Sequence, residues 1–371
     1  ATPNPKDAAP AKEEASATWE VRIARDWTAL SCAPPDYRSN REVIMEAVRQ
    51  NGMAIQYASE ELLEDRELVY EALRSSFGEA IQFVPVDLLR DRDFMLVAVK
   101  VSPHVLKHAP AKALNDPEFM LQAVENHWMA LGYATEPLRK DHDVVMAAVR
   151  QSGLALKYAN AELLTDRLIA ITAVQQDWQS LRFLPSDLRG DIEIAHEAVR
   201  RHWHALDMVP RKLRHDKSMA IEAVRQSWHA LKYIGKELLA DRDVGLEAVQ
   251  QDWRAIELLA KELHADRDIV LTAVRQNGMM LAKASEELRG DRVIVLESMR
   301  QNWQALQYAS KELRSDRDIA FEAAKLSGHA LQHVIEDLKA DTGLIQLAMN
   351  QKWSAAEFAV QPLFQPKGDG L

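Results

Sequence analysis

The sequence predicts an all-α fold: an α-solenoid of about fourteen 25-residue repeats, each a helix, a short second helix and a capped turn. Three observations carry this. An Asp recurs at Asp65, Asp91, Asp116, Asp141, Asp166, Asp191, Asp216, Asp241, Asp266, Asp291, Asp316 and Asp341, always 25 residues apart except for the 26-residue step from Asp65 to Asp91, with Asn40 in register upstream. Apolar residues between these marks fall at helical spacing and leave no place for a strand. Each unit closes on a breaker or cap, as at Pro85, Pro110, Pro185 and Pro210 or Ser59, Ser285 and Ser310, because Pro lacks a donor and Ser offers a side-chain acceptor. Units this short cannot bury a core alone, so they must stack.

Along the chain, residues 1–14 are rich in Ala, Pro and charge and are expected to be a flexible linker or the trimmed end of a precursor; an artificial chain boundary is the alternative. The solenoid is expected over 15–365, since Trp27-Thr28-Ala29-Leu30 falls in register with Trp253-Arg254-Ala255-Ile256. Residues 366–371 read as a short tail. In the Asp241 repeat, the Asp caps a helix carrying Val244, Leu246, Ala248 and Val249, and Asp243 suits the positive end of its dipole. Ala255-Ile256 and Leu258-Leu259-Ala260 form the second, shorter helix, and Glu262-Leu263 the closing turn. The first unit is atypical, with Trp19, Arg22 and Ile23 in place of the usual apolar series, as suits a terminal cap. The stretch 75–117 holds the extra residue, Pro103, Pro110 and Pro117, and predicts a bend.

Composition removes several function classes. The net charge of -10 argues against a general nucleic-acid binder. No apolar run approaches a membrane span of about 18 residues. One cysteine, Cys32, excludes an internal disulfide; it takes the Tyr place of its unit and is expected to be buried. Phosphate-binding, dinucleotide, zinc-protease and nucleophile-elbow motifs are all missing, and carboxylates recur as caps in every unit. The chain is therefore read as no enzyme, with no cofactor and no metal; His202-x-His204 lacks a third ligand of fixed spacing.

The copies inform one another. Leu, Ala-Val, Ala-Leu and the capping Asp are constant and build the solenoid. The residue after the Trp/Gly position and the residue three further on vary, as at His204, His229 and Arg254, and at Lys157, Arg182 and Lys232; these two columns are predicted to face solvent. The Trp/Gly column cannot be a sealed core slot, since Trp and Gly differ too much in volume. Trp is expected to lie across its neighbour at the rim, and Gly to end the first helix with positive φ. Trp178, Trp203, Trp228 and Trp253, in consecutive units, should form a row, either a strip that grips a partner or packing between repeats. The Gln column (Gln151, Gln226, Gln251, Gln276) could be a hydrogen-bonded ladder or a solvated helix end. Residues 200–217 concentrate Arg200, Arg201, His204, Arg211, Lys212 and Arg214, a candidate basic patch for an acidic partner.

The pattern D-R-D-[VI]-x-[LM]-x-A-V-R-Q-[NSD]-[WG]-x-A-L-x-Y-A-[SP]-x-E-L-x-x, repeated across the chain, resembles the repeat family called domain of unknown function 4116. Its rhythm is similar to the variant leucine-rich repeat, which alternates α and 3₁₀ helices. The resemblance implies a solenoid and no catalytic residues. The family is most common in unicellular eukaryotes, algae included, which together with the non-Met start suits a plastid or other organelle, with the cytoplasm as the alternative. The expected function is a non-enzymatic protein–protein scaffold or linker, a structural subunit of a large assembly that touches membranes at most peripherally. The alternative is a small-ligand or pigment binder that uses its Trp rows.

Overall fold

The structure, a computed structural model, describes residues 18–351. The chain divides into two compact units, 1–188 and 189–371. The expected linker 1–14, tail 366–371 and Trp353 lie outside the described residues. Each unit is an all-α solenoid built from one motif, with no strand among the described residues.

The Asp141 repeat shows how the sequence makes that motif. Asp141 caps the α-helix His142–Gln151, its Oδ1 accepting from the backbone N–H groups of Asp143 and Val144 at 3.0 Å each. These are two of the donors that every helix start leaves without partners. Val144, Val145, Met146, Ala148 and Val149 form its buried face. At Ser152 the backbone turns extended (φ -151, ψ 123), and a second helix, Gly153–Tyr158, buries Ala155 and Leu156. This second helix is 3₁₀ in every described repeat. A one-turn element then leads to Asp166 and the next helix.

The residue between the two helices has a role the sequence reading missed. It closes the first helix and caps the second: Asp177 accepts from the Gln179 N–H at 2.8 Å, Asn51 from Met53 at 2.9 Å, and His127 Nδ1 from Met129 at 3.2 Å. Burial, with His104 nearby, holds the His127 pKa below its usual value and so keeps that nitrogen free to accept. The signal was present in the sequence, since this column holds a side-chain acceptor (Asp, Asn, Ser or His) in every repeat except at Phe77 and Lys352.

Three hydrogen-bond ladders join successive repeats. On one edge the Arg or Lys that follows the capping Asp in most repeats reaches the next repeat's Asp, whereas Pro117 and Ile192 stand at that position in two others. Arg41 Nε donates to Asp65 at 2.6 Å, Arg267 to Asp291 at 3.0 Å, Arg317 to Asp341 at 2.7 Å, and Lys217 pairs with Asp241 at 2.8 Å. The Asp therefore both caps its own helix and pairs with its neighbour. At the other end of the helix the Gln column is a ladder: Gln226 Nε2 donates to the Val199 and Arg200 carbonyls at 2.6 and 3.2 Å, and its Oε1 accepts from the Trp203 N–H at 2.8 Å. Gln151 makes the same three bonds to Val124, Glu125 and Trp128. The third ladder is backbone to backbone, from the residue before the closing turn to the preceding repeat, as from Asn160 to Arg139 at 3.0 Å and from Ser285 to His264 at 2.8 Å. Pro85 and Pro110 occupy that donor position and, having no N–H, cannot make this bond.

The 26-residue repeat absorbs its extra residue at Phe77. Phe77 is left-handed (φ 51) and Gly78 follows at φ 92, with the Gly78 N–H donating back to the Leu73 carbonyl at 2.7 Å. Phe77 is 84% exposed. Pro103 and Pro117 begin the next 3₁₀ and α helices, where a missing N–H costs nothing, so the order of elements continues unbroken through 75–117.

Two expectations are corrected. Cys32 is exposed, not buried. Tyr57, Tyr158, Tyr233 and His333 of that column lie against the Trp of the repeat before, and the described residues hold no such Trp ahead of Cys32. Nor does Gly at the Trp/Gly position generally take positive φ; among the described glycines only Gly78 does. Gly52, Gly153 and Gly278 are needed for a different reason, a lack of room. A Cβ on Gly52 would stand 1.9 Å from the Ala72 carbonyl oxygen, and on Gly153 or Gly278 it would stand 2.1 Å from that of Ala173 or Ser298. At these junctions the 3₁₀ helix rests directly on the backbone of the next α-helix.

Candidate interaction surface

The α-helices supply the core and the ladders; the 3₁₀ helices supply the variable surface. The second variable column is exposed in every described repeat except at Gly132, which is half-buried. The first is exposed at His204, His229 and Arg254 and half-buried at Met129, Leu154 and Gln179. This follows from 3₁₀ geometry, in which residues three apart share a face: Ala and Leu point inward and the variable pair outward.

The described Trp residues of this column are half-buried at the rim. Several lean onto the following repeat: Trp27 meets Tyr57 (ring centroids 6.5 Å apart), Trp128 meets Tyr158 (6.2 Å), and Trp303 meets His333 (5.9 Å). In the second unit Trp203 stacks on His204 at 3.6 Å and approaches His229 and Tyr233 at 6.4 and 5.8 Å. Trp228 in turn stacks on His229 at 4.0 Å, so indole and imidazole alternate here. Trp253 lies beneath the Arg254 guanidinium at 4.9 Å. Trp178 belongs to the first unit, where it starts the helix Trp178–Phe183.

The stretch 200–217 is not one patch. Arg200 and Arg201 both pair with Glu197 at 3.1 Å, and Arg200 also pairs with Glu222. Arg214 turns back to cap its own 3₁₀ helix, donating to the Asp207 and Val209 carbonyls at 2.6 and 2.9 Å. Lys217 is part of the Asp ladder, and His215 pairs with Glu237 at 2.7 Å. Arg211 and Lys212 are exposed on the closing turn, and only His204 joins the Trp face. His202 caps the 3₁₀ helix through its Nδ1.

A second cluster, in the first unit, was not singled out from sequence. Lys157 lies 4.5 Å from the centre of the Tyr158 ring and 5.5 Å from that of Trp128. Tyr158 lies flat against Gly132, where an added Cβ would come within 3.0 Å of the ring. Tyr133 shares a 2.6 Å hydrogen bond with His104 Nδ1; burial and the neighbouring Tyr158 raise its pKa, so the phenol stays protonated. Among the described residues no group of three or more His, Cys, Asp or Glu could hold a metal ion, and no helix is long and apolar enough to cross a membrane.

These features define a tandem-repeat α-solenoid with a variable 3₁₀ face. The chain belongs to the family described as domain of unknown function (DUF4116), whose model matches residues 23–63, 65–114, 116–164, 166–214, 216–264 and 266–314. From residue 65 on, each match spans two of the 25-residue repeats, so the family's unit is a pair. No curated protein matches the chain.

Proposed function

We propose that this protein is a non-enzymatic interaction scaffold that holds partner proteins along its 3₁₀ face, as a linker or structural subunit of a larger assembly. One observation carries the reading. The constant polar residues are spent on caps and ladders inside the solenoid, while the column of Lys107, Lys157, Arg182, Asp207, Lys232 and Glu257 points outward and changes chemistry from repeat to repeat. A surface that varies on an invariant frame suits recognition of an extended partner. Trp27, Trp128, Trp203 and Trp303 already rest on the following repeat, which favours this reading over a small-ligand site between Trp rows.

One side-chain set resembles a hydrolytic triad: Ser218 Oγ lies 3.3 Å from His196 Nε2, and His196 Nδ1 lies 3.4 Å from Glu222. The Ser218 hydroxyl, however, donates to Asp216 Oδ1 at 2.6 Å, so its proton is directed away from the base. This supports the non-enzymatic reading.

Gentle isolation from the native source followed by cross-linking mass spectrometry tests the proposal. Stoichiometric co-purification with a complex, cross-linked through residues of the 3₁₀ face, is the expected result. A lone monomer without reproducible cross-links would refute it.

A further inference from the structure

We propose that the 3₁₀ face of the first unit docks an extended acidic segment of a partner protein, centred on the cavity between Tyr133 and Tyr158. This rests on the scaffold reading and specifies the partner's chemistry. The cavity, about 650 Å³ and open to solvent, is lined by Tyr133, Thr135, Glu136, Arg139, Lys157, Tyr158 and Asn160 among others. It combines two ring walls, the Lys157 ammonium, a hydroxyl and an amide with one carboxylate, Glu136, while Arg139 is spent on the Ala134 and Gly132 carbonyls; this suits a peptide that sets carboxylates at Lys157 and apolar side chains elsewhere.

Charge complementarity favours an acidic occupant. Lys107, Lys157 and Arg182 stand in one exposed column, and among the described residues no carboxylate forms an ion pair with any of them. Lys157 rests on aromatic rings, and Arg182 donates only to Gln179, at 3.0 and 2.7 Å. The contrast with the helix edge is chemical: there Arg41, Arg66 and Arg92 are each neutralised by a carboxylate of the next repeat. Three unneutralised cations beside half-exposed rings, in a chain of net charge -10, form a local site of opposite sign.

A nucleic-acid strand fits less well. It brings a phosphate at every step, and Glu136 lines the cavity itself. A peptide can place carboxylates at the cations and apolar groups elsewhere.

The test is to pan a random peptide library on the full-length chain and measure the selected peptides by fluorescence anisotropy. Expected are peptides enriched in Asp or Glu with interspersed aromatic residues. Lys107→Gln/Lys157→Gln/Arg182→Gln should weaken them on the order of tenfold, as loss of three exposed ion contacts implies. Lys100→Gln/Lys112→Gln/Arg150→Gln, which removes the same charge off this face, should leave binding unchanged. Equal weakening by the two triple variants, selected peptides without acidic residues, or tighter binding of an oligouridine strand would each overturn the proposal. None of these outcomes touches the scaffold reading, which falls only if the native protein has no partner.

Discussion

Gly153→Ala adds one methyl group at a junction with no room for it. The new Cβ would stand 2.1 Å from the Ala173 oxygen and 2.9 Å from its carbonyl carbon, whereas a carbon meets a carbonyl oxygen comfortably at about 3.3 Å. The 3₁₀ helix must therefore retreat by roughly 1 Å from a backbone that cannot rotate away, and overpacking of this kind costs about 1–3 kcal/mol. Two other glycines calibrate the effect. At Gly132 the obstacle is the Tyr158 ring, 3.0 to 3.2 Å away; a ring can shift, so Gly132→Ala should cost less, about 0.5–1 kcal/mol. At Gly290 the nearest atom is Ser310 Oγ at 3.6 Å, and Gly290→Ala should stabilise by about 0.5 kcal/mol through the unfolded chain. Urea unfolding followed by circular dichroism gives the order, and hydrogen exchange around residues 152–158 and 173–180 shows whether the loss is local. If Gly153→Ala is no worse than Gly290→Ala, close backbone approach does not explain Gly in this column.

Other expectations address the ladders and the insertion. Gln226→Ala strands two carbonyls and the Trp203 N–H; it should cost about 1–3 kcal/mol and speed exchange of the Trp203 amide, which Arg211→Ala should not do. Burial would raise the Asp266 pKa, but bonds from the Ile269 N–H and Arg242 outweigh it and hold it below the usual carboxylate range. A carboxyl depressed in the folded state stabilises above its unfolded pKa of about 3.9 and loses that stability as pH falls through the folded value. Melting temperature should therefore drop steeply between about pH 4 and pH 2, and Asp266→Asn should remove part of that dependence; an unchanged acid profile would discount the ladder. Phe77→Gly relieves a left-handed backbone at an 84% exposed side chain and should stabilise by about 1 kcal/mol in chemical denaturation; a destabilisation would show that the ring makes contacts worth more than the strain.

The period, the caps and the all-α class were legible because each repeats many times, so any single deviation is outvoted. The 3₁₀ character of the second helix was suggested only by the similarity to the variant leucine-rich repeat and not by spacing, because a run as short as Ala-Leu-x-Tyr fits a spacing of 3.0 as readily as 3.6. Gly at the Trp/Gly position was misread for a physical reason: Gly can answer a need for positive φ or for a missing Cβ, and only backbone coordinates separate the two. The basic stretch 200–217 looks denser in sequence than in space because its neighbours fan out over a helix end, a 3₁₀ face and a turn, where most meet carboxylates or carbonyls. The Tyr133–Lys157–Tyr158 group is the opposite case, as its members come from different repeats and look unremarkable in each.

The 26-residue repeat shows where this fold stops counting. Arg66 still pairs with Asp91 although the chain between them is one residue longer than in any other repeat. The extra residue leaves by the opposite end of the helix, between α and 3₁₀ segments, and the Asp edge stays in step. Each repeat thus offers a graft point at which loops of differing length could be added on one side of the molecule while the register on the other is kept.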